Sequence, residues 1–371
     1  MRVLIACGGT GGHIYPGLAV AEELRRANTE VLFLGVRSNM EAEIVPREGF
    51  DIHFVRAGKL LRRPTWRWVP NFWNAMVGCL QAVRLVRRFQ PDVILGMGGY
   101  VSFPGVWAGH WLRVPLLIHE QNAWPGLTNR IVSRWCQRIC VSHQAARSGF
   151  PDFPEDRLVL TGNPVRQGLA RWRRGEAAEA LGVNPDADTL LLFGGSRGAR
   201  SLNTALRDAL PLLDKELRRP WQIIWQCGRE EVEKHRDVAV RFAGRVHLYP
   251  YIDQMGAAYA VADLVVCRAG ASTLAEITLL GKAAILVPYP YATGGHQEAN
   301  ARALADAGAA LTISDTKLTG EELAKTVIEA IKDKIYLQSL QEKSKAYGKP
   351  EATCTVAYEV SALANRTRGR D

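Results

Sequence analysis

The stretch MRVLIACGGTGGHIYPG, residues 1–17, is where the fold class is decided. Arg2–Ala6 is a short, mostly apolar run, Cys7–Gly12 is a loop with glycine at 8, 9, 11 and 12, and Leu18–Leu24 takes up helical spacing. Strand, glycine loop and helix in immediate succession open a parallel α/β unit. Glycine allows backbone angles and close approaches that other residues refuse, and a helix starting after such a loop points unpaired N–H groups at any anion in front of it. Taken singly, the loop fits a bare strand-to-helix turn as well as a phosphate site.

The pattern continues outward. Apolar runs at Glu30–Leu34, Val93–Leu95, Leu116–Ile118, Ile139–Val141 and Leu158–Thr161 each lead into a Gly- or Pro-marked turn and a helical pattern. After Asn163-Pro164 the alternation restarts, at Leu190–Phe193, Ile223–Gln226, Val246–Tyr249, Leu264–Val266, Ala284–Val287 and Ala310–Ile313. This second series opens like the first, with Phe193 running into Gly194-Gly195-Ser196-Arg197-Gly198. Two Rossmann-like α/β halves are expected, and because open parallel sheets bind ligands beyond the carboxyl ends of their strands, the catalytic site is expected in a cleft between them. Neither loop matches G-x-x-x-x-G-K-[ST], which argues against a P-loop NTPase.

Composition narrows the partners. A chain of 371 residues, 47% hydrophobic and 23% charged, suits a globular protein of two domains. A net charge of +10 implies an anionic partner: nucleic acid, phosphorylated small molecules or acidic lipid. The sequence carries no recognisable nucleic-acid-binding module, so that class is disfavoured. Seven scattered cysteines without a C-x-x-C pair read as reduced thiols. The N-terminus lacks the apolar core and cleavage site of an export signal. Val93–Leu112 is uncharged but contains five glycines and Pro104, so strand, loop and helix fit it better than a membrane span, and membrane contact is expected to be peripheral.

Several groups are placed for chemistry. His13 follows the first loop and, with an ordinary pKa near 6.5, suits a general base; a capping or core histidine is the bland alternative. His119-Glu120-Gln121-Asn122 at a strand end suits recognition of sugar hydroxyls, or equally a helix-capping loop. In RAGASTLAE (268–276), bare N–H groups at Ser272, Thr273 and Leu274 are expected to take a diphosphate and Glu276 the hydroxyls of a ribose, unless Glu276 is a capping-box partner. His296-Gln297 and Asn300 form a further polar group at a helix head.

GGTGGHIYPG (8–17), GMGGYVSFPG (96–105), HEQNAWPGLTNR (119–130), GNPVR (162–166), GGSRGAR (194–200), RAGASTLAEI (268–277) and HQEANARAL (296–304) together resemble, in order and approximate spacing, the MurG-type UDP-GlcNAc transferases. The resemblance implies a GT-B fold: an acceptor and membrane-associating domain over 1–163, a UDP-GlcNAc-binding domain over 164–345, and a C-terminal helix and tail over 346–371 packing back on the first. It implies metal-independent, cofactor-free, inverting transfer of GlcNAc to the 4-hydroxyl of the muramyl residue of undecaprenyl-diphospho-muramyl-pentapeptide, at the cytoplasmic face of the bacterial cell membrane. It further implies His13 as base, with His119 and Glu120 as alternatives. Thr10, Gly11, Gly12 and Asn122 are then near donor diphosphate and sugar, Arg166 and Ser196 on the phosphates, Ile252 on uracil through its backbone, Ser272–Glu276 on diphosphate and ribose, and His296 with Gln297 on the sugar. A related transferase acting on diacylglycerol or a small-molecule acceptor is the rival enzyme reading.

Between Ile52 and Pro91 lie Arg56, Lys59, Arg62, Arg63, Arg67, Arg84, Arg87 and Arg88 with no acidic residue, interleaved with Leu60, Leu61, Trp66, Trp68, Phe72 and Trp73. This mixture fits docking on an anionic bilayer. The competing reading is a solvated basic loop leading into a core helix, since Phe72, Met76, Leu80 and Val83 have ordinary helical spacing.

Overall fold

A computed structural model describes residues 1–58, 68–195 and 198–368. The chain divides into two compact units, Met1–Arg166 with Lys349 onward, and Gln167–Gly348.

In the first unit, β1 (Arg2–Ala6), α1 (Gly11–Arg26), β2 (Glu30–Gly35), α2 (Glu41–Arg47), β3 (Asp51–Phe54), α3 (Trp68–Phe89) and β4 (Val93–Gly96) are followed by α4 (Ser102–Trp111), β5 (Leu116–Glu120), α5 (Leu127–Val132), β6 (Arg138–Val141) and β7 (Leu158–Leu160). The strands form one parallel sheet in the order β3-β2-β1-β4-β5-β6-β7. Its central strands are apolar on both faces because helices cover both, as parallel sheets require. Edge strand β3, DIHF, is not among the expected strands: it is only partly buried, so it carries no continuous apolar run.

The second unit repeats the plan with α6 (Arg174–Leu181), β8 (Asp188–Phe193), α7 (Arg200–Glu216), β9 (Trp221–Gln226), α8 (Arg236–Arg241), β10 (Val246–Tyr249) and α9 (Met255–Val261). There follow β11 (Leu264–Cys267), α10 (Ala271–Leu280), β12 (Ala283–Leu286), α11 (His296–Asp306), β13 (Leu311–Thr312), α12 (Gly320–Lys332) and α13 (Lys334–Tyr347). Its sheet runs β10-β9-β8-β11-β12-β13, again parallel, with apolar clusters on both faces.

The chain then returns to the first unit as α14 (Ala352–Arg368), whose Val356, Val360, Leu363 and Ala364 pack into the cluster containing Ile14, Leu18 and Ala21 of α1. Thr353 Oγ1 accepts from the Val165 N–H at 3.2 Å and donates to the Val165 carbonyl at 3.0 Å. That clamp keeps Pro164–Arg166 with the first unit, so both divisions fall three residues later than the limits of 163 and 345 read from sequence.

Helix α3 overturns one expectation. Its core side is Cys79, Ala82, Leu85 and Val86, whereas Phe72 (68% exposed), Trp73 (57%), Met76 (43%) and Leu80 (58%) face solvent. The helical spacing of Phe72, Met76 and Leu80 therefore does not mark a core face. Lys59–Arg67, with Leu60, Leu61, Arg62, Arg63 and Trp66, lie outside the described residues, as does the Trp68 side chain. Among the described residues no helix is long and apolar enough to cross a membrane.

Candidate functional site

The sheet order reverses direction between β1 and β4 in the first unit and between β8 and β11 in the second, and ligands of doubly wound sheets bind at such switch points. Both glycine loops leave from these strands.

In the first unit the loop after β1 is anchored from below. Glu41 is fully buried; its Oε2 accepts the Gly9 N–H at 2.9 Å, and its Oε1 accepts the Val36 N–H and the Asn39 amide at 3.0 Å each. A Cβ on Gly8 would lie 2.2 Å from that carboxylate, so only glycine fits there. With Gly9 committed, and His13 and Ile14 donating to the Thr10 carbonyl, the N–H groups near the head of α1 without an acceptor among the described residues include those of Gly11 and Gly12. Sequence reading missed Glu41, since a single acidic residue after a turn carries no distinguishing pattern.

His13 lies inside the first turn of α1 rather than ahead of the helix. Its Nδ1 is 3.1 Å from Thr10 Oγ1. Its ring rests on the loop after β4, where Gly98 and Gly99 have φ of +85° and +73° and an added Cβ would come within 3.2 and 3.3 Å of the imidazole. The ring is half-buried and reachable from solvent.

The HEQN loop is different from what its composition suggests. His119, Glu120 and Gln121 are all buried. His119 Nε2 is 3.0 Å from the Gly162 carbonyl, and burial pushes its pKa down to about 4. Glu120 accepts from the Asn122 N–H and amide, the Gly126 N–H and the Asn129 amide at 2.8–3.1 Å. Three of the four polar residues thus build the loop, and only Asn122 is half-exposed. A buried histidine held neutral and a carboxylate with both oxygens saturated are poorly suited to the role of base. Arg166 is engaged by Glu48 at 3.2 Å and lies over the Tyr15 ring at 4.6 Å.

In the second unit Ser196 and its neighbour Arg197 lie outside the described residues. Helix α10 has Gly270 as its N-cap, and no side chain caps it, so Glu276 is not a capping-box partner. Instead its Oε2 accepts from the buried Tyr259 hydroxyl at 2.9 Å, and that burial and the nearby carboxylate hold Tyr259 protonated. The Leu274 N–H donates to the Gly270 carbonyl at 3.0 Å and its side chain is in the core. Leu274 is thereby removed from the expected anion site: the first helical hydrogen bond consumes its N–H, and the unspent donors are those of Ala271, Ser272 and Thr273. Ser272 Oγ is buried and unpartnered among the described residues.

Gln297 Oε1 accepts the Tyr289 N–H at 2.8 Å, and His296 Nδ1 is buried without a described partner. The Ile252 N–H is engaged by Gln226 Oε1 at 2.9 Å, so Ile252 has its carbonyl rather than its whole peptide to offer a base.

Two Rossmann-like units with glycine loops at their switch points define a protein of the GT-B fold class. The chain matches the glycosyltransferase family 28 N-terminal domain over residues 3–141 and the family 28 C-terminal domain over 189–356. It is 42% identical over 375 residues, with 99% of each chain covered, to the UDP-N-acetylglucosamine–N-acetylmuramyl-(pentapeptide) pyrophosphoryl-undecaprenol N-acetylglucosamine transferase of Desulforudis audaxviator. Its identity to the like-named enzyme of Halothermothrix orenii is 40%, covering 96% of this chain and 97% of the other. The crystal structure of Acinetobacter baumannii MurG superposes with a TM-score of 0.77 at 30% identity, covering 97% of this chain and 99% of that one. The protein belongs to glycosyltransferase family 28.

Proposed function

We propose that the protein transfers GlcNAc from UDP-GlcNAc, with inversion, to the 4-hydroxyl of the muramyl residue of undecaprenyl-diphospho-muramyl-pentapeptide, releasing UDP. His13 takes the hydroxyl proton as the acceptor oxygen bonds to C1 of GlcNAc and the bond from C1 to the diphosphate breaks. Charge gathering on the departing diphosphate is met by the N–H groups of Ala271, Ser272 and Thr273 and by Ser272 Oγ, already aligned before reaction. Glu276, fixed by Tyr259, holds the ribose; Thr10, Gly11, Gly12 and Asn122 serve the diphosphate and sugar; Gln297 and His296 serve the sugar; Ser196 serves a phosphate. Arg166 joins them by exchanging Glu48 for phosphate oxygen.

The observation that carries this reading is the seat of His13, reachable on its glycine platform while His119 and Glu120 are tied into the loop. Its test is incubation with UDP-[14C]GlcNAc and a short-chain analogue of the lipid acceptor. Labelled disaccharide lipid is expected, with His13→Ala lowering kcat by about 10²–10⁴-fold. Transfer to diacylglycerol instead would overturn the acceptor, and near-normal turnover in the variant would overturn the base.

We further infer that the first unit docks on an anionic membrane from the cytoplasmic side. The apolar face of α3, continued by Arg84, Arg87 and Arg88, supports this, since tryptophan favours the headgroup layer and each cation near an acidic surface contributes about 1 kcal/mol. An acceptor whose polyprenyl chain stays in the bilayer requires the enzyme to come to it.

A further inference from the structure

Helix α2 delivers one buried carboxylate to the ends of β1 and β2. Glu41, its first residue, points inward, and two glycines make room for it: a Cβ on Gly35 would lie 2.7 Å from Glu41 Cγ, as one on Gly8 would lie 2.2 Å from Oε1. The three donors that reach it are neutral, the Gly9 and Val36 N–H groups and the Asn39 amide. A buried carboxylate whose hydrogen-bond donors are all uncharged is a costly way to fill space, since an apolar side chain of that volume would need no donors. What it supplies instead is an acceptor on each oxygen.

Those acceptors reach both loops on which His13 depends. Oε2 holds Gly9, which precedes Thr10, whose Oγ1 is 3.1 Å from His13 Nδ1. Oε1 holds the Asn39 amide, and that amide nitrogen is also 2.9 Å from the Tyr100 hydroxyl. Tyr100 directly follows Gly98-Gly99, the platform under the His13 ring, and its own ring lies where a Cβ on Gly9 would come within 3.4 Å. The two loops also abut, since a Cβ on Gly99 would be 3.0 Å from the Gly8 carbonyl oxygen.

We infer that Glu41 is a positioning residue for His13, fastening at one buried carboxylate the two glycine loops between which the imidazole is seated. This rests on the proposed role of His13 as base. Helix α1 fixes where the residue starts, but where the ring comes to rest depends on the spacing of the two loops, and a reacting group displaced by about 1 Å can lose about a hundredfold in rate.

The test is steady-state kinetics of the full chain, as wild type, Glu41→Gln, His13→Ala and the double variant, with UDP-GlcNAc and the short-chain acceptor analogue. Glutamine keeps the volume but turns one acceptor into a donor, which must then face either the Gly9 N–H or those of Val36 and Asn39. Glu41→Gln should lower kcat about tenfold or more, by a larger factor than the KM for UDP-GlcNAc rises. Because Glu41 acts through His13, the same change made in His13→Ala should lower kcat less than about threefold. Asn39→Ala, at a half-exposed position, cuts only the branch to Tyr100 and carries the same cycle if Glu41→Gln does not fold. A carboxylate that serves stability alone would lower the melting temperature and leave the kcat of the folded fraction intact, or lower kcat by the same factor in both backgrounds, and either result overturns the inference. Near-normal turnover in His13→Ala would overturn the base reading itself, and this inference with it.

Discussion

At His13, the proposed base, the seat of the ring depends on a neighbour with no side chain. Gly98 combines a φ of +85° with a virtual Cβ 3.2 Å from the imidazole, so Gly98→Ala incurs both backbone strain, about 1–2 kcal/mol, and displacement of the ring. Thermal unfolding of the first unit should shift down accordingly, and kcat should fall at least about tenfold, by more than UDP affinity falls, since the proposed donor groups on α10 are untouched. Calorimetry and turnover on the same preparation check this; a variant with full kcat would show that the platform does not place the base. The motif GMGGYVSFPG was visible as a string, but the reason for its paired glycines was not, because the ring they carry comes from the first turn of α1. The same limit applies to HEQN. Composition could not separate sugar-binding side chains from loop-building ones; the difference lies in which way each points and what it meets.

At the scale of elements, periodicity identified helices but not which side they bury. Phe72, Met76 and Leu80 have the spacing of a core stripe, yet the core takes the small and aliphatic face of α3 and leaves the large side chains outside. Changing Trp73, Met76 and Leu80 together to Ser should remove co-sedimentation with acidic vesicles and leave UDP binding and the melting temperature nearly unchanged, since exposed residues contribute little to folding. Wild type that ignores acidic vesicles at low salt, or a triple variant that still binds them, sinks the docking reading. In α10 the helix was legible from its small residues before an apolar run. The assignment of free donors was off by one position because the N-cap is Gly270, and cap geometry depends on backbone angles rather than on residue type.

For the molecule as a whole, buried histidines give the first unit a defined response to acid. Burial holds His119 and His143 at pKa values of about 4, below the unfolded value near 6.5. Between those values the unfolded chain binds protons that the folded chain does not. Their contribution to stability is therefore complete above about pH 6.5 and is lost as pH falls toward 4, by roughly 3 kcal/mol for each group. The urea midpoint of the first unit should drop between pH 7 and 5, and His143→Gln should drop less steeply. A midpoint equally flat in both would refute it.

The sequence by itself was enough for the doubly wound architecture and for the glycines that follow β1 and β8. These follow from local signals: apolar runs buried on both faces, glycines where the backbone must turn, and helical spacing between them. It could not reveal edge strand β3, which has little to bury, nor the anchoring of the first loop by Glu41, the hydrogen bond from Ile252 to Gln226, or the spending of His119 and Glu120 inside their own loop. Each of those depends on which atoms the sheet brings within hydrogen-bond reach from distant parts of the chain, 32 residues apart for Gly9 and Glu41 and 26 for Gln226 and Ile252. A polar side chain reads the same in sequence whether it awaits a ligand or already has a partner, and only tertiary structure decides between the two.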